Sequence, residues 1–239
     1  MAEVKNKQKD FQVEKSGILP FGTCRWGKDL AISLPTDEEI TRIEFFSRVS
    51  GKKAGEACIG EKYKNGSIYS FKVKGAANYN YVLCNDKGTV KDTYAKVVNK
   101  GGEFGREKPV TYGVYDENYD WEDDVRPLHG YEDSFIYRLH VRGFTKHGSS
   151  RVKNKGTYAG IMEKIQYLQE LGVTAVELMP SYEFDEVIKE GFGAGKVNYW
   201  GYGSAYYFAP KEAYSSRKNG GQINEFKDMV KSLHKAGIE

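Results

Sequence analysis

The sequence predicts an all-β, sandwich-type first half followed by a parallel α/β second half, and two observations carry that expectation. Up to about residue 130, short runs rich in β-branched and aromatic residues alternate with turn signals, and helical periodicity is almost missing. Beyond it the rhythm becomes strand, helix, strand, helix, which predicts a parallel sheet with crossover helices. At 239 residues the chain is long enough for one large domain or two ordinary ones with real cores.

In the first half, Asp29–Pro35 (DLAISLP), Ile40–Val49 (ITRIEFFSRV), Ser67–Gly75 (SIYSFKVKG) and Tyr79–Asn85 (YNYVLCN) suit strands. Asn65-Gly66 and Asp86-Lys87-Gly88 supply turns between them. In the second half, Ser134–Phe144 (SFIYRLHVRGF) reads as a strand that contains His140. The segment 157–172 then spaces Ile161, Ile165, Leu168 and Gly172 by four, three and four, the stripe of one amphipathic helix. Thr157 is its expected N-cap and Gly172 its terminator. Val173–Pro180 (VTAVELMP) follows as an apolar strand of a buried parallel sheet. A second helix carries Ile223, Phe226, Val230 and Leu233 and stops at Gly237. A complete (β/α)8 barrel takes roughly 200 residues or more, and about half of that follows residue 130. These residues therefore fit either a small α/β domain or the opening piece of a larger barrel.

Composition narrows the function classes. A charged fraction of 29% is high, but 14% aromatic residues argue against a disordered chain. The net charge of +3 is close to balance, and no basic run is interleaved with aromatics, so nucleic acid is not an expected partner. No apolar run approaches the length of a membrane-spanning helix. Cys24, Cys58 and Cys84 have no C-x-x-C spacing and read as reduced thiols. The N-terminus lacks the apolar core of a signal peptide, which makes a cytoplasmic location the expectation.

Chemistry in a parallel α/β sheet gathers beyond the carboxyl ends of its strands. After the second such strand, Glu183, Asp185 and Glu186 cluster. Paired carboxylates suit glycosidic cleavage, yet surface carboxylates are usually solvated, and that is the expected role here. Gly191–Gly195 (GFGAG) lacks the lysine and hydroxyl residue of a phosphate loop and reads as a flexible connection. His140 is expected to be a hydrogen-bonded structural residue, and His129, His147 and His234 show no metal-ligand spacing. The stretch NYWGYGSAYYFAPKEAYSS, residues 198–216, places seven rings in its first seventeen positions. Most are expected to pack, while Tyr202, flanked by Gly201 and Gly203, stands uncrowded and suits a flat ligand such as a sugar.

FIYRLHVRGFT, GTYAGIMEKIQYLQELGVTAVELMPSYEF, NYWGYGSAYYFAPKEAYSS and EFKDMVKSLHKAGIE occur in this order over residues 130–239. Together they resemble the opening of the catalytic barrel in the α-amylase superfamily of glycoside hydrolases, most closely its isoamylase, pullulanase and glycogen-debranching branch. The first half is similar to the β-sandwich glycan-binding module that precedes such barrels, with Asp92, Tyr94 and Ala95 matching its end and DWEDDVRP its connection. The resemblance implies a disordered tail over 1–15, a module over 16–125 and the first βαβα of the barrel over 126–239. It implies an α-glucan partner, no cofactor, and a substrate-lining role for Tyr202 with Trp200 and Asn198 in support. Relatives often carry Asp where Gly203 stands. It places no catalytic carboxylate among these residues: the nucleophile and acid/base of the retaining mechanism belong to later strands, so this polypeptide is not expected to act alone. Two other functions share these features, a branching transglycosylase and a non-catalytic glycan-binding protein. In the module, Trp26 is the ring considered for a binding face.

Overall fold

The computed structural model describes residues 9–17, 20–106, 109–188, 193–217 and 220–239. It divides into two units, Met1–Val98 with Val110–Asp116, and Asn99–Pro109 with Glu117–Glu239.

The first unit is built from strands β1 (Lys9–Asp10), β2 (Val13–Lys15), β3 (Gly22–Trp26), β4 (Asp29–Pro35), β5 (Arg42–Ser47), β6 (Lys53–Cys58), β7 (Lys64–Asn65), β8 (Ile68–Val73), β9 (Tyr79–Asn85), β10 (Gly88–Val90), β11 (Val97–Asn99) and β12 (Thr111–Gly113). One sheet runs β1-β6-β5-β9-β12-β11 with β10 beside β9; the other runs β2-β8-β4-β3 with β7 beside β8. The pairs β2–β8, β3–β4, β4–β8, β5–β6, β5–β9 and β9–β12 are antiparallel, and β1 runs parallel to β6. Alternation builds the core: Ile43 and Phe45 of β5 and Tyr81 and Leu83 of β9 are fully buried, as are Tyr69, Phe71 and Val73 of β8. β4 is buried on both faces, and its second face carries small Ala31 and Ser33, the latter hydrogen-bonded to Ser70. Asn65-Gly66 turns β7 into β8 with Gly66 at φ +60°, a conformation that favours glycine.

Residues 9–15, expected above as a disordered tail, are part of these sheets. Phe11 is buried against Phe45, ring centres 4.3 Å apart, and β2 pairs antiparallel with β8. Two apolar anchors, Phe11 and Val13, outweigh the polar composition around them. Residues 1–8 lie outside the described residues.

In the second unit, β13 (Ile136–Leu139) leads into α1 (Val141–Lys146), α2 (Tyr158–Met162) and α3 (Ile165–Glu170), then β14 (Ala175–Leu178), β15 (Tyr182–Phe184), β16 (Ala205–Pro210) and α4 (Gln222–Lys235). β13 and β14 pair in parallel with Arg138 opposite Glu177. A third parallel register begins beside them: the Glu239 amide donates to the Thr174 carbonyl (2.8 Å) and its carbonyl accepts from Val176 (2.7 Å), the two bonds a parallel strand makes about Ala175. Leu139, Val141, Ile161, Leu168, Phe184, Tyr214, Met229 and Leu233 form the core between these strands and helices.

Three expectations are corrected. The first strand stops at Leu139, because His140 turns out of it to cap α1 with its ring. The single helix over 157–172 is two short ones. Glu163 turns away to accept from the Lys153 and Asn154 amides (2.7 and 2.9 Å), and the Lys164 amide tightens onto Ile161 rather than Gly160. The boundary at 125/126 is not where the units divide. Residues 99–106 bond within the second unit through the Lys100 amide to Glu212 (2.6 Å), and Tyr119 donates to Asp228 (2.8 Å).

Candidate functional site

Between β15 and β16 the chain makes a long excursion whose closing turn presents the aromatic stretch. Asn198 builds that turn. Its amide donates to the Glu186 carbonyl (2.7 Å), its Oδ1 accepts from the Gly201 amide (3.1 Å), and its Nδ2 donates to the Tyr202 carbonyl (3.0 Å). A short side chain with both an acceptor and a donor can close such a turn on its own backbone. Gly201 is obligatory there, with φ +81° and a position where a Cβ would lie 2.5 Å from Phe184 and 2.9 Å from Pro180.

The turn leaves Trp200 and Tyr202 more than half exposed. The Tyr202 hydroxyl accepts from Arg138 Nη2 at 3.0 Å, which sets the ring at the carboxyl end of the parallel pair. Trp200 stands edge-on to His140 and Tyr199, with centroids 5.8 and 5.2 Å away. Tyr199 stacks on His140 at 4.5 Å with the rings 10° from parallel. Both imidazole nitrogens are used: Nε2 donates to the Tyr199 carbonyl and Nδ1 accepts from Gly143, each at 2.9 Å. Burial pushes the His140 pKa down and favours the neutral ring, as this pairing requires. His140 is thus a structural brace, as expected, although from a helix cap and not from within a strand.

The expectation that most rings pack is not met. Tyr206 and Tyr214 are buried, but Trp200, Tyr202, Tyr207 and Phe208 are all more than half exposed. Strand alternation does not account for the pair, since Tyr207 and Phe208 are adjacent in β16. Tyr207 packs edge-on against Tyr182, centroids 4.9 Å apart.

The acidic cluster is not a solvated loop. Lys211, completely buried, reaches Glu183 at 2.8 Å and Glu186 at 2.6 Å, and its ammonium lies 3.8 Å from the centre of the Phe184 ring. Glu183 also accepts from the Glu212 amide (2.9 Å), Glu186 accepts from the Gly105 amide, and Asp185 pairs with Lys100 (2.8 Å). Buried charges persist where they are paired and hydrogen-bonded in this way. Carboxylates so committed are poor candidates for acid/base work. Of the Gly191–Gly195 stretch, residues 191 and 192 lie outside the described residues, and Gly193 and Gly195 take positive φ in a turn. Among the described residues no group of three His, Cys, Asp or Glu is placed to hold a metal ion.

Three participants were not singled out from the sequence: Arg138, Lys211 and the steric need for Gly201. Strand alternation was the available signal for Arg138, because it puts that residue on the face opposite Tyr137 and Leu139. In the first unit, Trp26 is more than half exposed, and the Lys72 ammonium lies 3.7 Å above its ring.

The family described as "Alpha amylase, catalytic domain" matches residues 135–239. Isoamylase 1, chloroplastic, of Oryza sativa subsp. japonica is 43% identical over 249 residues, covering 96% of this chain and 30% of the relative. A glycogen operon protein GlgX homolog of Haemophilus influenzae is 33% identical, covering 74% of this chain and 28% of the relative. The chain thus spans less than a third of the length of either. A type I pullulanase of Bacillus subtilis, solved with maltose, superposes with a TM-score of 0.66 at 24% identity, over 94% of this chain and 32% of that one. The pullulanase SAP of Group B Streptococcus with maltotetraose gives 0.73 at 23% identity, over 93% and 32%. The likeness to these two solved structures shows a shared fold.

Proposed function

We propose that the chain, whose residues 135–239 match the α-amylase catalytic-domain family, is the N-terminal portion of an α-glucan debranching hydrolase. Its substrates would be the α-1,6 branch linkages of glycogen, starch-like dextrins or pullulan. The observation that carries this is the Tyr202 turn: an exposed ring fixed through its carbonyl by Asn198 and its hydroxyl by Arg138, at the carboxyl end of a parallel strand pair. Ligands of such sheets bind at that end. A tyrosine face offers a flat apolar surface against the apolar face of a glucose ring, with a polar rim for its hydroxyls.

The second unit is read as the first strands of a (β/α)8 barrel. Its parallel pair, the helices between them and the parallel register that starts at Glu239 support this reading. The first unit is read as a glycan-binding module, with Trp26 the exposed ring for a sugar. Because Lys211 takes up Glu183 and Glu186, neither is assigned as nucleophile or acid/base of a retaining mechanism. The names of the relatives, isoamylase and pullulanase, favour hydrolysis of branches over their formation.

One assay separates the classes. Incubated with amylopectin, the whole gene product should release reducing ends and linear chains and deepen the iodine stain. A branching transglycosylase weakens the stain without new reducing ends, and a binding protein changes neither. Either of the last two outcomes would sink the proposal.

A further inference from the structure

Arg138 and Glu177 occupy matched positions on the parallel strands β13 and β14. Their neighbours Tyr137, Leu139, Val176 and Leu178 pack into the core, so alternation turns Arg138 and Glu177 together to the opposite face. There the guanidinium Nε lies 3.3 Å from the Glu177 carboxylate, and both side chains are more than half exposed. An ion pair so open to water adds little to stability, so the fold gives no strong reason for it. What it does reach is the ring of the sugar site, since Arg138 Nη2 donates to the Tyr202 hydroxyl at 3.0 Å.

Tyr202 has unusual freedom without that bond. Gly201 and Gly203 flank it at φ +81° and +122°, and neither carries a side chain to limit the ring. Asn198 fixes the Tyr202 carbonyl and leaves the side chain to be fixed elsewhere. A planar guanidinium can do so because its fork directs two donors at once: Nε engages Glu177, which sets the plane, and Nη2 then points at the phenol oxygen. A lysine ammonium in the same place has no such plane.

We infer that Arg138 is the positioning residue of the sugar platform, holding the Tyr202 ring by its hydroxyl, and that Glu177 orients Arg138 for that task. The inference rests on the reading of Tyr202 as a substrate platform. A ring held at its edge keeps its face free for the sugar and loses no rotamer freedom when substrate arrives.

The test is a double-mutant cycle in the whole gene product, measured as kcat/KM on a branched maltodextrin together with the melting temperature. Arg138→Met should lower kcat/KM about tenfold, the scale of one lost charge-assisted hydrogen bond, with the melting temperature unchanged. Tyr202→Phe, which removes only the hydroxyl, should fall by a similar factor, and the double variant should be no worse than either single one. Arg138→Lys should recover part of the loss, and Glu177→Gln should show a smaller version of it. Additive losses in the double variant, or full activity in Arg138→Met while Tyr202→Ala is impaired, would overturn the positioning role and leave the platform standing. Full activity in Tyr202→Ala would overturn the platform and this inference with it.

Discussion

Gly201 and Asp92 show how far single positions constrain this molecule. An alanine at 201 meets both a positive φ and a Cβ 2.5 Å from the Phe184 ring, in a core with no slack. Gly201→Ala should therefore cost about 2–4 kcal/mol and lower the melting temperature of the second unit by several degrees, which calorimetry would read; an unchanged transition would contradict the packing. Asp92 is fully buried and accepts from the Tyr81 hydroxyl and the Tyr94 amide. Burial raises its pKa from 3.8 to about 6, and its hydrogen bonds oppose the rise. A carboxyl whose folded pKa is the higher one binds its proton more tightly in the native state. Its contribution is thus most favourable below about pH 4 and declines as pH rises to about 6, by about 3 kcal/mol in all. Asp92→Asn should remove that decline, so the stability difference between the two proteins should change across pH 4–7 and be flat outside it. A constant difference would refute the assignment. Legibility at this scale depended on distance in sequence. The uncrowded setting of Tyr202 was readable because Gly201 and Gly203 flank it in the sequence, whereas Asn198 was named only through the family resemblance. Glu183 and Glu186 were misjudged as solvated because Lys211, which buries them, follows more than twenty residues later. Arg138 was passed over because its partner Tyr202 is 64 residues away.

Elements were read best where one physical signal dominated. β4 and β9 have the bounds expected from their composition and the turn signals around them, and the Asn-Gly turn sits where its φ preference puts it. Errors arose where a side chain left its element to bond elsewhere. His140 reads as a strand residue but caps α1, and Glu163 reads as mid-helix but serves the loop at 153–154 and divides α2 from α3. Helices this short gain little from propensity, and their ends matter correspondingly more. Thr157 caps α2 by accepting from the Gly160 amide (3.1 Å), while its own hydroxyl donates to Asn154 (2.8 Å). Thr157→Ala should destabilise the second unit by about 1 kcal/mol. Amide exchange would localise the effect, with protection falling at residues 158–162 before it falls in α4. Equal loss in α4 would mean that the cap supports the unit at large and not this helix.

At the scale of the whole chain, the change of character near residue 130 was legible, but the division between units was not a cut at one point. Residues 99–106 follow the last long strand of the first unit, yet Phe104 stacks on Tyr214 and Lys100 binds Asp185. A linear reading has no access to such returns. The same scale governs how the 239-residue chain should behave in solution. Among the described residues β13 pairs with β14 alone, so its other edge offers main-chain donors and acceptors to any strand that meets it. Phe135 and Ile136 stand half exposed along that strand start, with Leu128 and Tyr131 almost fully exposed nearby in sequence. An open parallel edge beside exposed apolar side chains is a template for further strand addition. The chain expressed by itself is therefore expected to associate, with a weight-average mass in light scattering that climbs with concentration. Ile136→Lys puts a charge on the open edge and should return the mass toward that of one chain, without loss of the β-rich circular dichroism of the first unit. A monomer at every concentration would mean that the edge is protected, and would refute the expectation.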